Sequence, residues 1–285
     1  MRIARVSAEG ITYLARIEAD DTVVPVRAEP AEAGGDALRI ALDDPAWAAG
    51  LVTAAPVAEA RPLAEWQLEA PVRNPSKVIA IGLNYADHAR ESGLEPPPAP
   101  VAFAKLNNSI CGPDAAIRYS ASDSTQVDYE AELAVVIGRQ ARRVSEDAAL
   151  SYVFGYTACN DVSARDAQFA DGQWIRGKSF DTFCPLGPWI VGADEIPDPQ
   201  SLAIACHVNG TTLQDGSTSD MIFGVAEIVS YLSRVMTLEP GDVIATGTPF
   251  GVGFARDPQV FLGDGDVVEV EIERIGTLRN PVVVE

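Results

Sequence analysis

The chain has 285 residues, enough to bury a large core, and its 47% hydrophobic content excludes general disorder. With 41 acidic against 21 basic residues, its net charge of −20 disfavours binding to nucleic acid or to an anionic membrane, since both need a basic surface. The N-terminus lacks the apolar core of a signal peptide, and no stretch approaches about 20 uninterrupted apolar residues. We therefore expect a soluble, cytoplasmic protein.

The first 70 residues predict a small β-rich domain. Three short strands are expected at 3–6, 11–17 and 23–26, because apolar runs there are separated by turn-forming residues. The stretch 30–70 is Ala-rich and weakly patterned, with one short helix predicted at 44–52. We place a domain boundary near residue 70, which divides the chain into a small N-terminal domain, 1–70, and a larger domain, 71–285.

The remaining chain predicts a mixed, mainly β fold with few helices. The Asn209-Gly210 pair after a strand is typical of a type I′ hairpin. Few helices are long enough to cover a parallel sheet, and the best candidates lie at 146–153 and 224–233. A largely antiparallel architecture is therefore favoured over a doubly wound one. Strands are predicted at 78–81, 101–104, 131–137, 202–208, 243–245 and 267–272.

A pair of acidic residues stands at the start of the strand predicted near residue 131. Glu130 and Glu132 are two residues apart, so a strand places them on one face together with Asp128. Taken alone, this pattern is more typical of a solvated strand face, where water screens like charges. A third acid, Asp161, follows a hydrophobic run that ends abruptly, and three carboxylates without clustered Cys or His favour Mg²⁺ or Mn²⁺.

Only two histidines are available as a general base near neutral pH. If the segment around His88 is helical, Glu91 lies at i+3 on the same face and could orient the imidazole and raise its basicity. The isolated motif is equally compatible with a structural role. For His207, in a predicted strand, a structural or surface role is strongly preferred.

Other candidate residues follow later in the chain. Lys178 has apolar neighbours that indicate partial burial, which suits an ammonium held beside a carboxylate or an enolate. Arg165 and Gln168 follow Asp161 by four and seven residues, so a helical turn there would place all three on one side. The Gly-rich stretch 246–253 lacks the Gly-Lys-Ser/Thr ending of a phosphate loop. We expect it to bring a backbone amide or the Thr248 hydroxyl close to a ligand carboxylate. A plain turn is the alternative.

The four cysteines are widely separated and contain no Cys-x-x-Cys pair, so neither a zinc site nor a redox motif is indicated. We expect reduced core residues at Cys111, Cys159, Cys184 and Cys206.

Six segments, in order, resemble motifs of the fumarylacetoacetate hydrolase family, the fumarylacetoacetase C-terminal-like enzymes. One departure is Leu106, because the family more often has a proline after the lysine. The resemblance is loose over the first 70 residues. The matching segments are Gly-Leu-Asn-Tyr-Ala-Asp-His at 82–88, Asp-Tyr-Glu-Ala-Glu-Leu at 128–133, Asn-Asp-Val-Ser-Ala-Arg-Asp at 160–166, Gly-Lys-Ser-Phe-Asp at 177–181, Pro-Gly-Asp-Val-Ile-Ala-Thr-Gly-Thr-Pro at 240–249 and Leu-Gly-Asp-Gly-Asp at 262–266.

The resemblance implies a fumarylacetoacetase-like β-sandwich roll with short helices, and commonly a homodimer. It implies that His88 and Glu91 form a base dyad on a lid and that Lys178 contacts the reacting centre. The metal ligands that it implies are Glu130, Glu132 and Asp161. The residues that it implies around the substrate are Lys105, Arg165, Gln168 and Thr248.

The function that we predict is hydrolysis of a small 2,4-dioxo acid of the acylpyruvate type, with release of pyruvate and a carboxylic acid. A metal-held enolate also arises when oxaloacetate is decarboxylated, which is the second hypothesis. Isomerisation of an oxo-dienoic acid such as 5-carboxymethyl-2-hydroxymuconate is the third. A non-catalytic calcium- or ligand-binding module would not need His88, Glu91 and Lys178.

Overall fold

The protein is built around a large, mainly antiparallel sheet, as its sequence pattern predicts. The sheet runs in the order β4-β3-β2-β1-β14-β12-β11-β17-β6-β7, with β5 paired to β1 and β8 to β14. The computed structural model describes residues 1–30, 36–44, 50–51, 53–170 and 172–285. The strands of this sheet are β1 Arg2–Ala8, β2 Ile11–Ile17, β3 Thr22–Ala28, β4 Arg61–Pro62, β5 Gln67–Glu69, β6 Val78–Gly82, β7 Val101–Lys105, β8 Ile110–Cys111, β11 Ala131–Ile137, β12 Val153–Asn160, β14 Cys184–Gly192 and β17 Val243–Ala245.

A second sheet packs against the first, in the order β16-β15-β18-β19-β9. The predicted hairpin is confirmed, because Asn209 and Gly210 have φ of +52° and +76° between its two strands. Both φ values are positive, as a type I′ turn requires. The strands are β9 Ile117–Tyr119, β15 Ala203–Val208, β16 Thr211–Ser217, β18 Val267–Ile272 and β19 Gly276–Val284, while β10 Val127–Asp128 and β13 Ser163–Ala164 form a separate two-stranded ladder.

The helices of the described residues are short. The helix predicted at 146–153 is wrong at its C-terminal end, because residues 150–152 form a 3-10 turn and Val153 already belongs to β12. The helix predicted at 44–52 lies mostly outside the described residues. The α-helices are α1 Ala37–Leu42, α2 Ala86–Glu91, α3 Glu146–Ala149, α4 Arg165–Ala170, α5 Trp174–Lys178 and α6 Val225–Val235.

Strand β11 lies at the centre of the core and is buried along its whole length. Alternate side chains point to opposite faces of a strand. Leu133 and Val135 join the core shared with the second sheet and α6, whereas Ala134 and Val136 join the core beneath α1. Burial on both faces explains why this strand is continuously apolar in sequence.

The N-terminal strands continue the large sheet, because β1 pairs with β14 at Arg2↔Val191 and Ile3↔Ile190. The division at residue 70 stays a prediction, as do the homodimer and the cytoplasmic location. No helix among the described residues is long and apolar enough to cross a membrane. The four cysteines are free and buried, which confirms the prediction of reduced core residues.

Candidate active site

The pairing of β11 with β12 brings the three predicted acids together. The last register pair is Ala131 opposite Asn160, and one step further the Asp161 amide donates to the Glu130 carbonyl at 2.9 Å. Glu130 and Asp161 are therefore neighbours across the strand pair, and Glu132 shares the face of Glu130. One carboxylate oxygen from each of the three residues lies within 4.8 Å of the other two.

These acids are buried, which excludes the solvated-face alternative. Asp128, Glu130 and Glu132 are 0%, 5% and 1% exposed. Buried carboxylates need compensating charge or hydrogen bonds. The Lys178 ammonium supplies part of it, since its Nζ lies 2.7 Å from Glu130 Oε2 and 2.9 Å from Asp161 Oδ2.

Arg165 is fixed between two acids. Its guanidinium donates to both oxygens of Asp128, at 2.6 and 3.1 Å, and to Glu130 Oε1 at 2.7 Å. Its Nη1 donates to the Gln168 amide oxygen at 3.1 Å, across one turn of α4. The prediction that a single helical turn would also include Asp161 is wrong, because α4 begins at Arg165 after the short strand β13. Asp128 therefore orients Arg165.

Lys105 occupies a different place from the other predicted substrate residues. Its side chain is buried beneath Asp161, and its ammonium donates to the Asp161 carboxylate and to the Lys178 carbonyl. It does not line the cavity that the described residues form. Its substrate role stays a prediction, and the contacts that the structure shows make Lys105 a support of Asp161. The next residue, Leu106, donates its amide to Ser179 Oγ at 3.1 Å, a bond that a proline could not make.

The surroundings of Glu130 and Glu132 shift the pKa values of these two acids in opposite directions. Burial alone would raise the pKa of Glu130, but Lys178 and Arg165, with His88 nearby, hold it well below its usual range. Burial, followed by the charges of Asp161 and Glu130, raises the pKa of Glu132 well above its usual value. Glu132 forms no salt bridge within the described chain and accepts its hydrogen bond from the Gly247 amide at 2.9 Å.

The donor set fits a hard divalent cation. Three carboxylates are the ligand type that Mg²⁺ and Mn²⁺ prefer. A cation among them would also relieve the like-charge repulsion around Glu132. These three residues could hold such an ion.

The predicted His88–Glu91 pair forms on α2. His88 Nδ1 lies 2.8 Å from Glu91 Oε1, and the Gly251 amide donates to Glu91 Oε2 at 2.8 Å. A carboxylate only accepts hydrogen bonds, so Nδ1 carries the proton and Nε2 is left as an acceptor. His88 is 5% exposed and lines the same cavity as Glu130 and Glu132. His207, by contrast, lies on β15 and is partly exposed.

The Gly-rich stretch brings Thr248 into this cavity. Gln214, which is 1% exposed, donates to Thr248 Oγ1 at 2.7 Å and to the Pro249 carbonyl at 2.8 Å. Because Thr248 Oγ1 already accepts a hydrogen bond, its own hydrogen is available to a ligand. Gln214 was not identified from the sequence, since nothing in the pattern of β16 distinguishes it from a solvated strand residue.

The cavity has a volume of about 250 Å³. Seven of the ten predicted site residues line it. These residues are His88, Glu130, Glu132, Arg165, Gln168, Lys178 and Thr248. Glu91 and Asp161 do not line the cavity themselves. Glu91 contacts His88, and Asp161 accepts a hydrogen bond from Lys178.

Known proteins are similar to this chain in sequence and in fold. A mitochondrial oxaloacetate tautomerase of Xenopus laevis is 49% identical over 218 residues, which cover 76% of this chain and 68% of that one. A 2,4-didehydro-3-deoxy-L-rhamnonate hydrolase of Sphingomonas sp. (strain SKA58) is 51% identical over 214 residues, 74% and 75% of the two chains.

A solved structure of 2-hydroxyhepta-2,4-diene-1,7-dioate isomerase from Mycobacterium marinum is 40% identical, with a TM-score of 0.80, and the match covers 100% of this chain and 99% of that one. Residues 77–283 match the model of the fumarylacetoacetate (FAA) hydrolase C-terminal family. The chain belongs to the fumarylacetoacetate hydrolase family, whose relatives here include a hydrolase, a tautomerase and an isomerase.

Proposed function

We propose that this protein hydrolyses the C3–C4 bond of a 2,4-dioxo acid of the acylpyruvate type and releases pyruvate and a carboxylic acid. The observation that carries the proposal is the oriented His88–Glu91 pair, which lines the same cavity as Glu130 and Glu132. A purely structural ion site would not need a buried imidazole with a free acceptor nitrogen. The hydrolase relative from Sphingomonas supports the same class of reaction.

The acidic triad is the proposed site of Mg²⁺ or Mn²⁺, held by Glu130, Glu132 and Asp161. When bound, such an ion supplies positive charge that polarises the 2-oxo and carboxylate oxygens of the substrate and stabilises an enolate. Thr248 and Gln168 line the cavity, which supports the proposal that their side chains hold the substrate.

His88 acts as the general base. Glu91 accepts a hydrogen bond from the Nδ1–H group, so Nε2 is free to take a proton from water in the cavity. The hydroxide formed adds to the C4 carbonyl carbon. Glu91 is itself held by the Gly251 amide, which fixes the imidazole in its working orientation.

Breakage of the C3–C4 bond leaves its electron pair on the pyruvate fragment as an enolate. The Lys178 ammonium, which contacts Glu130 and Asp161, stabilises this negative charge as it develops. The protonated His88 returns its proton to C3. Water is thereby consumed, and the products are a carboxylic acid and pyruvate.

Tautomerisation or decarboxylation of oxaloacetate is the second candidate. The observation that favours it is the 49% identity to the Xenopus oxaloacetate tautomerase. Decarboxylation passes through the enolate of pyruvate and tautomerisation through the enolate of oxaloacetate, and neither reaction needs an attacking water. Isomerisation of an oxo-dienoic acid uses enolisation in the same way.

The test is a panel of acylpyruvates and oxaloacetate with added Mg²⁺, scored for pyruvate, carboxylic acid and CO₂. His88→Ala should lower acylpyruvate cleavage by about 10²- to 10⁴-fold, the usual contribution of a general base, and should leave metal affinity intact. His207→Ala removes the second histidine, which lies on the second sheet, and serves as the matched control. Enol–keto conversion of oxaloacetate without any acylpyruvate cleavage would favour the second candidate instead.

A further inference from the structure

The cavity has two chemically different halves. Its charged groups are buried, with Lys178 and Arg165 only 2% and 3% exposed. The remaining lining is largely apolar and more exposed, with Leu94 at 50% and Phe169 at 56%. The charged residues therefore form a floor and the apolar residues form a rim. The apolar rim consists of Leu83, Leu94, Phe103, Phe169, Trp174 and Phe254.

The aromatic side chains of the apolar rim pack on one another edge to face. The ring centroids of Phe103 and Trp174 are 5.3 Å apart, and those of Phe169 and Phe254 are 5.7 Å apart. Such pairs hold each ring in a defined orientation. Trp174 also packs tightly on Gly82, where an added Cβ would lie 2.3 Å from its ring. The apolar rim is therefore a built surface.

The same rings cover the two cations of the floor. The Arg165 guanidinium carbon lies 4.4 Å from the Phe254 ring centre, and Lys178 Nζ lies 5.5 Å from that of Phe103. Both cations are also committed to the buried acids. Among the described residues that line the cavity, no other Lys or Arg is present. A second carboxylate at the far end of a substrate would thus meet aromatic and aliphatic surface without a cationic partner.

We propose, on the basis of the proposed function, that the acyl group of the substrate is apolar, aromatic or branched aliphatic, and carries no distal carboxylate. The apolar rim gains from covering a hydrocarbon group, because apolar surface is removed from water on both sides. A distal carboxylate would lose water there without gaining a hydrogen-bonded partner, which is costly. The net charge of −20 opposes a dianionic substrate further.

A kinetic comparison tests the proposal on the intact protein with Mg²⁺. Benzoylpyruvate, acetylpyruvate and fumarylpyruvate share the 2,4-dioxo acid and differ only in the acyl group. We expect kcat/KM for benzoylpyruvate to exceed that for fumarylpyruvate by about tenfold or more, the scale of discrimination by an apolar pocket. Equal or better cleavage of fumarylpyruvate would overturn the apolar acyl group and leave the hydrolase function standing.

A binding comparison separates this inference from the reaction itself. The pair 2-oxo-4-phenylbutanoate and 2-oxoglutarate carries the same oxo-acid head with a phenyl or a carboxylate end, and neither has a C4 ketone to be cleaved. Calorimetry with Mg²⁺ should give a dissociation constant at least about tenfold lower for the phenyl compound. If no acylpyruvate is cleaved, the proposed function fails, and this binding ratio alone decides the inference. Equal affinities overturn it.

Substitutions at Phe169 test whether the apolar rim causes the preference for an apolar acyl group. Phe169→Ala should reduce the ratio of benzoylpyruvate to fumarylpyruvate kcat/KM by about threefold to tenfold, and Phe169→Lys should reduce it further by supplying a cation. The control is Ile175→Ala on the neighbouring α5, which removes an apolar side chain that is 36% exposed and does not line the cavity. The control should keep the ratio. A ratio that is unchanged in both Phe169 variants contradicts the assignment.

Discussion

Two buried carboxylates on neighbouring strands of the large sheet have opposite surroundings. Asp242 precedes β17 and is 0% exposed; Glu132 lies in the adjacent β11 and is 1% exposed. Asp242 accepts from Ser76 Oγ at 2.5 Å and from the amides of Lys77 and Glu239 at 3.1 and 2.7 Å, and it pairs with the Lys77 ammonium. One hydroxyl, two backbone amides and one ammonium therefore compensate its charge.

Glu132 faces like charges instead. It accepts one amide at 2.9 Å, and Asp161 and Glu130 act on it from the same cluster. Burial is common to both carboxylates, so burial does not distinguish a structural acid from a functional one. The distinguishing feature is the weaker compensation, which for Glu132 is one amide and the charge of Lys178. A folded protein tolerates such a poorly compensated carboxylate where a ligand supplies the partner.

The largest expected effect comes from Glu132→Gln. Loss of a triad carboxylate should lower acylpyruvate cleavage by about 10³-fold, because charge stabilisation by a metal contributes several kcal/mol. Without the like-charge repulsion, the melting temperature of the metal-free variant should stay level or rise, by about 2 °C for each kcal/mol gained. Activity assays and thermal melts in chelator measure both. A marked fall in melting temperature would show that Glu132 is compensated after all.

Asp242→Asn, in contrast to Glu132→Gln, should lower stability and leave activity unchanged. The amide brings an N–H group among donors that need an acceptor, which should cost about 2–3 kcal/mol of the free energy of unfolding. The activity per folded molecule should not change, because Asp242 does not line the cavity. Urea unfolding and an active-site titration measure the two quantities. An activity loss at full folding would contradict the structural role.

Addition of Mg²⁺ to the metal-free protein should give a smaller stabilisation. At ten times the dissociation constant, binding to the folded state alone contributes about 1.4 kcal/mol. The corresponding rise in melting temperature is about 3 °C, and it should persist in Asp242→Asn but vanish in Glu132→Gln. A shift of equal size in both variants would place the ion elsewhere.

The smallest effect is expected for Lys77→Met. Its ammonium pairs with Asp242, but the side chain is 26% exposed, so solvent screens the pair. The amide and hydroxyl partners of Asp242 remain, and the cost should be about 0.5 kcal/mol. A loss as large as that of Asp242→Asn would mean that the ammonium, and not the backbone, compensates the carboxylate.

Local patterns predicted local structure well. The continuous apolar run of β11, the Asn209-Gly210 turn and the i, i+3 contact of His88 with Glu91 depend on residues close in sequence. The same holds for Glu130 and Glu132 at the start of β11, because an extended backbone fixes their common face.

Contacts between distant segments could not be derived in this way. Asp161 and Glu130 lie close to each other because β11 pairs with β12, and local periodicity does not specify that pairing. The position of Lys105 beneath Asp161 depends on how β7 lies relative to α5. Its substrate role is implied by the resemblance to the family and stays a prediction, whereas its contact with Asp161 could be seen only in the structure.

The two oxygens of Glu91 join parts of the chain that are 160 residues apart. One oxygen meets the imidazole, and the other meets the amide of Gly251 in the loop that carries Thr248. A displacement of α2 from this loop would therefore separate Glu91 from the Gly251 amide and leave the imidazole without that support. Through one carboxylate, the orientation of His88 depends on a loop that is remote in sequence.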